Sequence, residues 1–170
     1  LPALYAVDIS YWDAELSQLL ADLHARGLDD DLTIIVTSDH GEEFNDHGGF
    51  WHGTTLYDEQ VHVPLFVKLP QARRGGTVVR HWVQSIDLMP TVLKLVEVAI
   101  PEGAQGGDLF TGTDVVYAEE RHEGNVPESV RELDGTDAYK MITAHRHKPS
   151  GLNPLQPYRR HLHRRDQTTP

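Results

Sequence analysis

An aspartate and a histidine stand side by side where an apolar segment of the chain ends. The segment Leu32–Glu43 reads LTIIVTSDHGEE, so Asp39 and His40 closely follow a run rich in β-branched residues. Such a run is typical of a strand buried on both faces of a parallel sheet, and ligands collect beyond the carboxyl ends of those strands. A carboxylate and an imidazole are both metal ligands. Because the backbone turns where a strand ends, and Gly41 allows a sharp turn, both side chains can converge on one ion.

Two further histidines lie in the loop that follows. An isolated Asp-His pair caps a turn more often than it binds a metal, but His47 and His52, each followed by a glycine, shift that balance. A neutral imidazole binds zinc, manganese or iron, whereas a protonated one can contact an oxyanion. The same loop carries three acidic residues that we interpret as solvated: Glu42, Glu43 and Asp46.

A helix and a short turn come before the strand. Apolar residues near helical spacing predict an amphipathic helix over Val7–Arg26, and Gly27 is well placed to end it. Three aspartates at Asp29–Asp31 form a polar turn before the strand Leu32–Val36. Helix, turn and strand together make the αβ half of a doubly wound unit.

Three more elements are predicted after the histidine-containing loop, which spans Glu42–Thr54. Leu56–Gln60 has the pattern of a short helix, His62–Pro70 that of a second buried strand, and Thr77–Trp82 the composition of a strand. Ser85 is a plausible N-cap for a helix that continues to about residue 96.

The composition changes in the last third of the chain. Pro101–Gly112 is rich in glycine, proline and acidic residues, which indicates a linker or a long loop. Val115–Glu119 has the pattern of a strand. The pair Asp134-Gly135 predicts a hairpin between Val130–Leu133 and Ala138–Thr143.

The overall charge argues against a nucleic-acid ligand. The formal net charge is −11, and an acidic body repels phosphates. The chain contains no cysteine, so it has neither a disulfide nor a cysteine nucleophile. No apolar run is long enough to cross a bilayer, and the first residues carry no readable secretion signal. Localisation, membrane association and oligomeric state are left open.

The segment Thr37–Pro70 closely resembles the C-terminal signature of the sulfatase family, which belongs to the alkaline phosphatase superfamily. It reads TSDHGEEFNDHGGFWHGTTLYDEQVHVPLFVKLP, and the resemblance continues in QSIDLMPTVLKL and GAQGGDLF. These ordered motifs cover about Leu4–Phe110. The resemblance implies the C-terminal part of a doubly wound, mostly parallel α/β sheet with helices on both faces. A remnant of a small antiparallel subdomain is expected after it.

With this fold we expect three parts along the chain. Residues 1–110 form the C-terminal part of the catalytic domain, and residues 111–144 form a partial antiparallel subdomain. Residues 145–170 form a basic, histidine-rich, disordered tail whose composition resembles translation of a shifted reading frame. A rival interpretation, a metal-binding tail, is weaker because the spacing of its histidines suits no defined ligand geometry. Those histidines are His145, His147, His161 and His163.

The resemblance also implies roles for individual residues. Asp39 and His40 match two ligand positions of the catalytic divalent metal. His52 matches the position that contacts the sulfate or phosphate oxygens or assists the leaving group. The metal is calcium in many sulfatases and manganese or zinc in phosphate-cleaving relatives, and histidine ligands lean mildly away from calcium. The other matched positions in the signature are interpreted as structural: His47, Tyr57, Glu59 and Pro64.

The implied activity is hydrolysis of a small-molecule or glycan sulfate ester. The family's nucleophile is a formylglycine made from the Cys or Ser of a CxPSR or SxPSR motif, which this chain lacks. Because covalent transfer needs an activated nucleophile, we expect a partial chain that is inactive alone. Two alternatives stay open. One is a phosphoryl or phosphonate ester hydrolase, or a phosphoethanolamine-type transferase, of the same superfamily; the other is a non-catalytic remnant.

Overall fold

The chain divides into two units, and both contain helices and strands. Unit 1 comprises Leu1–His52 and Tyr57–Thr77, and unit 2 comprises Gly53–Leu56 and Val78–Pro170. The α/β class is therefore as predicted, while the boundaries expected at residues 110 and 144 remain predictions. A computed structural model describes four stretches of the chain: residues 1–120, 125–134, 137–146 and 163–164.

Unit 1 begins with the helix α1, Pro2–Ala25, which starts five residues before the expected Val7. Proline is favoured at the first turn because its fixed φ suits a helix and its missing N–H has no partner there. At the other end the backbone N–H of Gly27 donates to His24 O and that of Leu28 donates to Leu23 O. These two bonds form a Schellman motif, for which Gly27 supplies a φ of 65°. Gly27 thus ends the helix as predicted.

The apolar residues of α1 are not buried within the chain. Leu4, Val7, Tyr11 and Trp12 are each at least half exposed, and no residue of α1 is buried. The predicted helix is confirmed, but among the described residues its apolar positions remain largely exposed, with Tyr5 in edge contact with Phe44 at 5.2 Å between ring centroids. In the part of the chain that the structure describes, no helix is sufficiently long and apolar to span a membrane.

The apolar strand before the Asp-His pair is β1, Ile34–Thr37, and it pairs with β4, Leu65–Lys68. The two strands are antiparallel, with Thr37 opposite Leu65. All strand pairs within the described ranges are antiparallel, so the doubly wound parallel sheet is not seen there. The first three residues of β1 are partly buried and Thr37 is exposed, which differs from the expected strand buried on both faces.

The loop after β1 contains structure that the sequence interpretation missed. A small antiparallel hairpin joins β2, Glu43–Phe44, to β3, Phe50–Trp51. It is followed by the short helix α2, Asp58–Val61, close to the predicted position. The prediction of a continuous loop over Glu42–Thr54 is therefore wrong. A two-residue strand carries too little periodicity to be recognised from sequence.

Unit 2 lacks the strand expected over Thr77–Trp82, of which residues 78–82 fall in this unit. Only Trp82 forms a bridge, to Thr113, and Val78 and Val79 are exposed, so strand propensity was not matched by a partner. The expected helix is confirmed as a 3₁₀ turn, Ser85–Asp87, followed by α3, Leu88–Leu95.

The start of this helix differs from the prediction at one residue. The residue before the first helical position is Gln84, not Ser85, and the buried carboxylate of Asp87 accepts its N–H at 2.8 Å. Satisfying this N–H compensates for the missing intrahelical partner at a helix start. Pro90 lies early in the helix and is buried, as its position in the first turn allows.

Three side chains of the helical segment hold residues 107–109 against it. Asp87 accepts the N–H of Gly107 at 2.7 Å, and Thr91 Oγ1 accepts the N–H of Leu109 at 2.9 Å. The Lys94 ammonium donates to Asp108 Oδ2 at 2.6 Å. Thr91 and Leu109 are both buried, so their hydrogen bond is shielded from water. The two motifs IDLMPTVLKL and GGDLF thus form one packed element.

Replacing Thr91 by valine tests this link. The shape of the side chain is nearly kept, but the N–H of Leu109 loses its acceptor. A buried N–H without a partner costs about 1–3 kcal/mol, so we expect the free energy of unfolding to fall by that amount in urea titrations. Thr111→Val is the matched control, because its hydroxyl makes an exposed bond to Asp108 O. Equal effects of the two variants would contradict the prediction.

Unit 2 ends in a four-stranded antiparallel sheet in the order β5-β6-β7-β8. The strands β6 and β7 pair from Asn125 opposite Arg146 to Asp134 opposite Asp137, which confirms the predicted hairpin, although its tip lies outside the described residues. Most of the expected tail, with its disorder and shifted-frame hypotheses, also lies outside them. Its described residues continue β7 and form β8. The four strands are Val115–Glu119, Asn125–Asp134, Asp137–Arg146 and His163–Arg164.

Candidate active site

The carboxylate of Asp39 and the imidazole of His40 face each other just after β1. His40 Nδ1 lies 2.8 Å from Gly41 O, and because a carbonyl only accepts, Nδ1 carries the proton in this contact. The other ring nitrogen, Nε2, is then free to accept, and it lies 3.7 Å from Asp39 Oδ1. The strand end thus brings together an oxygen and a nitrogen donor, as a shared ligand site requires.

Asp39 is held in its ionised form while remaining open to solvent. Its Oδ1 accepts the backbone N–H of His40 at 3.0 Å, and this bond is the main cause that lowers the pKa of Asp39. The side chain is 87% exposed. An ionised carboxylate facing open space is available to an incoming cation.

Gly41 is required by a close backbone approach. Its N–H donates to Gln60 O at 2.8 Å, and a Cβ on Gly41 would lie 2.0 Å from Glu59 O. Its φ lies outside the left-handed region, so the glycine is needed for space rather than for conformation. This contact fixes the position of the Asp39-His40 pair relative to α2.

His52 reaches the same place from the far side of the hairpin. Its ring stacks on that of His40, with 3.8 Å between centroids and 21° between planes. His52 Nδ1 lies 3.2 Å from Glu42 Oε2 and 3.4 Å from Glu42 Oε1. The three residues singled out from sequence, Asp39, His40 and His52, are therefore neighbours in unit 1.

The interpretation of Glu42 and Glu43 as solvated acids is wrong. The Glu42 side chain is only 16% exposed and faces His52. Glu43 is 1% exposed; its Oε1 accepts the N–H groups of His47 and Gly49 at 3.1 Å each, and its Oε2 accepts from the Gln60 amide at 3.2 Å. The hairpin is thus built around a buried, hydrogen-bonded carboxylate.

Asp46 differs from these two glutamates, because it remains exposed. Its carboxylate accepts the N–H of Phe44 at 3.0 Å, which supports the hairpin turn. No periodic pattern distinguishes Asp46 from Glu43. Only the tertiary donors around each side chain separate the solvated acid from the buried one.

His47 packs against Tyr57 rather than joining the other two histidines. The two rings are stacked, with centroids 3.7 Å apart and planes at 10°. His47 Nδ1 also lies 3.6 Å from Glu59 Oε2. His47 thus lies beside Tyr57 and Glu59, and the structural role implied for these residues remains a prediction.

The fit of a divalent cation can be tested against this arrangement. Asp39 Oδ1 and His40 Nε2 are donors of the types that manganese and zinc accept, and calcium would use the carboxylate. Across the described stretches of the chain, no group of three or more His, Cys, Asp or Glu residues could hold a metal ion. The residues present therefore fit part of a ligand set.

Comparison with known proteins defines the class. A family model described as Sulfatase matches residues 2–98, more than half of the chain. The match includes the α1–β1 segment, the Asp-His pair, the hairpin with His52, and α3. The chain belongs to the sulfatase family, as the resemblance in its motifs indicated.

Individual relatives agree with this assignment. The chain is 32% identical to mouse arylsulfatase K over 109 residues, which are 64% of this chain and 19% of that protein. It is 32% identical to the ulvan-active sulfatase of Formosa agariphila over 100 residues, 57% of this chain and 19% of that one. A third relative is the multifunctional alkaline phosphatase superfamily protein PehA of Trinickia caryophylli. It is 36% identical over 110 residues, 64% of this chain and 21% of PehA. The chain thus matches about a fifth of each relative's length.

Proposed function

We propose that this chain forms one side of the active site of a metal-dependent sulfate ester hydrolase. In this proposal Asp39 and His40 bind a divalent cation, and His52 contacts the sulfate ester. The observation that carries it is the convergence of Asp39 Oδ1 and His40 Nε2 at 3.7 Å, with the His52 ring stacked at 3.8 Å. The substrate class is a small-molecule or glycan sulfate ester, in line with the sulfatase relatives.

Each side chain has a defined task in this scheme. A bound cation would supply positive charge that stabilises the negative charge developing on ester oxygens. Asp39 and His40 hold that cation through one oxygen and one nitrogen. His52 offers Nε2 to the substrate, because its Nδ1 is engaged with Glu42, and in its doubly protonated form it would donate the Nε2 proton to the departing oxygen.

The nucleophile is proposed to come from a segment that this sequence does not contain, as a formylglycine. Two serines of this chain are otherwise engaged: Ser38 Oγ donates to His40 O at 2.6 Å, and Ser10 Oγ donates to Ala6 O within α1. Without an activated nucleophile we expect no turnover by this chain alone. We also propose that β1 and β4 are part of the larger, doubly wound sheet expected for the intact catalytic domain.

Cation binding tests the proposed site directly. Calorimetry on the purified chain with calcium, manganese and zinc is expected to give heat with at least one ion. Asp39→Ala should weaken that binding by more than about tenfold, or about 1.4 kcal/mol, because the carboxylate is the only anionic donor of the pair. Asp13→Ala, an exposed acid on α1, is the matched control. No heat with any of the three ions would refute the metal site.

A second candidate is a phosphoryl or phosphonate ester hydrolase, or a phosphoethanolamine-type transferase, of the same superfamily. The likeness to PehA and the histidine at position 40 favour it, since imidazole suits manganese and zinc better than calcium. Assays of the protein carrying this chain on p-nitrophenyl sulfate and on p-nitrophenyl phosphate separate the two. If no cation binds and neither ester is hydrolysed, these results would favour a non-catalytic remnant.

A further inference from the structure

The contact between Glu42 and His52 joins two residues that are ten positions apart. Both carboxylate oxygens of Glu42 lie within 3.4 Å of His52 Nδ1. An ionised carboxylate only accepts hydrogen bonds, so the proton in this contact belongs to Nδ1. The other ring nitrogen, Nε2, is not hydrogen-bonded to Glu42.

The backbone alone does not fix the orientation of the His52 ring. His52 lies in an irregular turn, since both its neighbours, Trp51 and Gly53, have positive φ values of 74° and 77°. Its side chain is nearly half exposed, so packing restrains the ring only in part. Two contacts therefore hold the ring: the stack on His40, which sets its plane, and the Glu42 carboxylate, which sets its rotation within that plane.

The position of Glu42 suits this task. Successive side chains of an extended segment point to opposite sides, so Glu42 and Glu43 face different surroundings at the start of β2. Glu43 supports the hairpin from within, whereas the carboxylate of Glu42 faces His52 and is shielded to 16% exposure. Shielding strengthens a charge-assisted hydrogen bond because water competes less for the acceptor.

We propose that Glu42 is the positioning residue of His52: it accepts the Nδ1 proton, fixes the tautomer, and leaves Nε2 facing the substrate. This inference rests on the proposed role of His52 and adds a residue that acts through it. In functional sites of other proteins, a carboxylate or carbonyl that accepts the proton of one ring nitrogen likewise fixes the tautomer and the ring orientation of the histidine.

The tautomer of His52 can be measured without metal or substrate. Long-range ¹H–¹⁵N NMR spectra of the full chain, recorded at alkaline pH, are expected to show the proton of His52 on Nδ1. Glu42→Leu should convert this signal to the Nε2–H form or to a mixture, whereas Glu42→Gln, which retains an oxygen acceptor, should keep it. His40 is the internal control, because Gly41 O holds its Nδ1 proton in the unaltered chain and neither substitution removes that carbonyl.

Two results would overturn the proposal: a proton on Nε2 of His52 in the unaltered chain, or an unchanged tautomer in Glu42→Leu. If Glu42→Leu shifted the His40 signals as well, the Glu42→Gln spectrum would decide, since loss of the Nδ1–H form there would contradict the proposed acceptor. Failure of the cation titration would leave these spectra unaffected, so the sulfatase proposal and this one can fail separately.

Discussion

Gly41→Ala is expected to unfold or severely distort the strand end that carries Asp39 and His40. The new Cβ would lie 2.0 Å from the backbone oxygen of Glu59, and no side-chain rotation can relieve a clash with backbone. Overpacking of this kind costs 1–3 kcal/mol and occasionally more, so we expect a loss of about 3 kcal/mol in the free energy of unfolding. Urea titration measures the loss, and calorimetry should show that cation binding weakens in the same variant.

The control for this clash is Gly107→Ala. A Cβ at Gly107 would meet only Asp87 Oδ1, at an ordinary 3.8 Å, so the same chemical change is expected to have little effect there. A Gly41→Ala chain with the unfolding midpoint of the unaltered chain would show that the approach between residues 41 and 59 is not as close as described.

Glu43→Ala is expected to open the hairpin between β2 and β3. The change removes the acceptor for two backbone N–H groups and for the Gln60 amide, all of which meet the buried carboxylate. The hydrogen bond from the Gln60 amide is buried and the two N–H bonds are partly buried. A buried donor left without a partner costs about 1–3 kcal/mol, and we expect a total loss of about 3 kcal/mol after local relaxation. Hydrogen exchange measures this directly, since the amide protons of His47 and Gly49 should lose protection.

A conservative variant and a control variant are to be compared with Glu43→Ala. Glu43→Gln retains one oxygen at the position of the two N–H groups and should lose less stability than Glu43→Ala. Glu15→Ala removes an exposed acid from α1 and should leave the hairpin amides protected. Continued protection of His47 and Gly49 in Glu43→Ala would contradict the inferred role of the carboxylate.

The sequence was informative where local chemistry determines the structure. Gly27 ends α1, and the strands expected on either side of Asp134-Gly135 are paired; both predictions rest on residues that favour turns whatever surrounds them. The Asp39-His40 pair was recognisable because it stands at the end of an apolar run. His52 needed the family motif, since nothing local predicts that it stacks on His40.

Strand direction, strand pairing and the burial of acidic side chains could not be predicted, because each depends on tertiary contacts. The run in β1 predicts a strand but carries no information on direction, and its antiparallel pairing follows from the position of β4. Val78 and Val79 have strand propensity, but they are exposed and no strand within the described stretches pairs with them. Glu43 looked solvated because acidic residues are almost never fully buried unless paired. Its donors are two N–H groups of the hairpin turn, where the sequence predicts a loop, and the amide of Gln60, 17 residues away.

The pairing of Thr37 with Leu65 has a consequence for how such a site can vary. All the candidate site residues lie in the single excursion 38–64, which leaves the β1–β4 ladder and returns to the same rung. Lengthening a loop whose ends are already joined costs little entropy, about 0.6 kcal/mol for each doubling. Insertions after the Asp39-His40 pair can therefore reshape what enters the site, while the β1–β4 ladder and the pair that closely follows β1 stay in place.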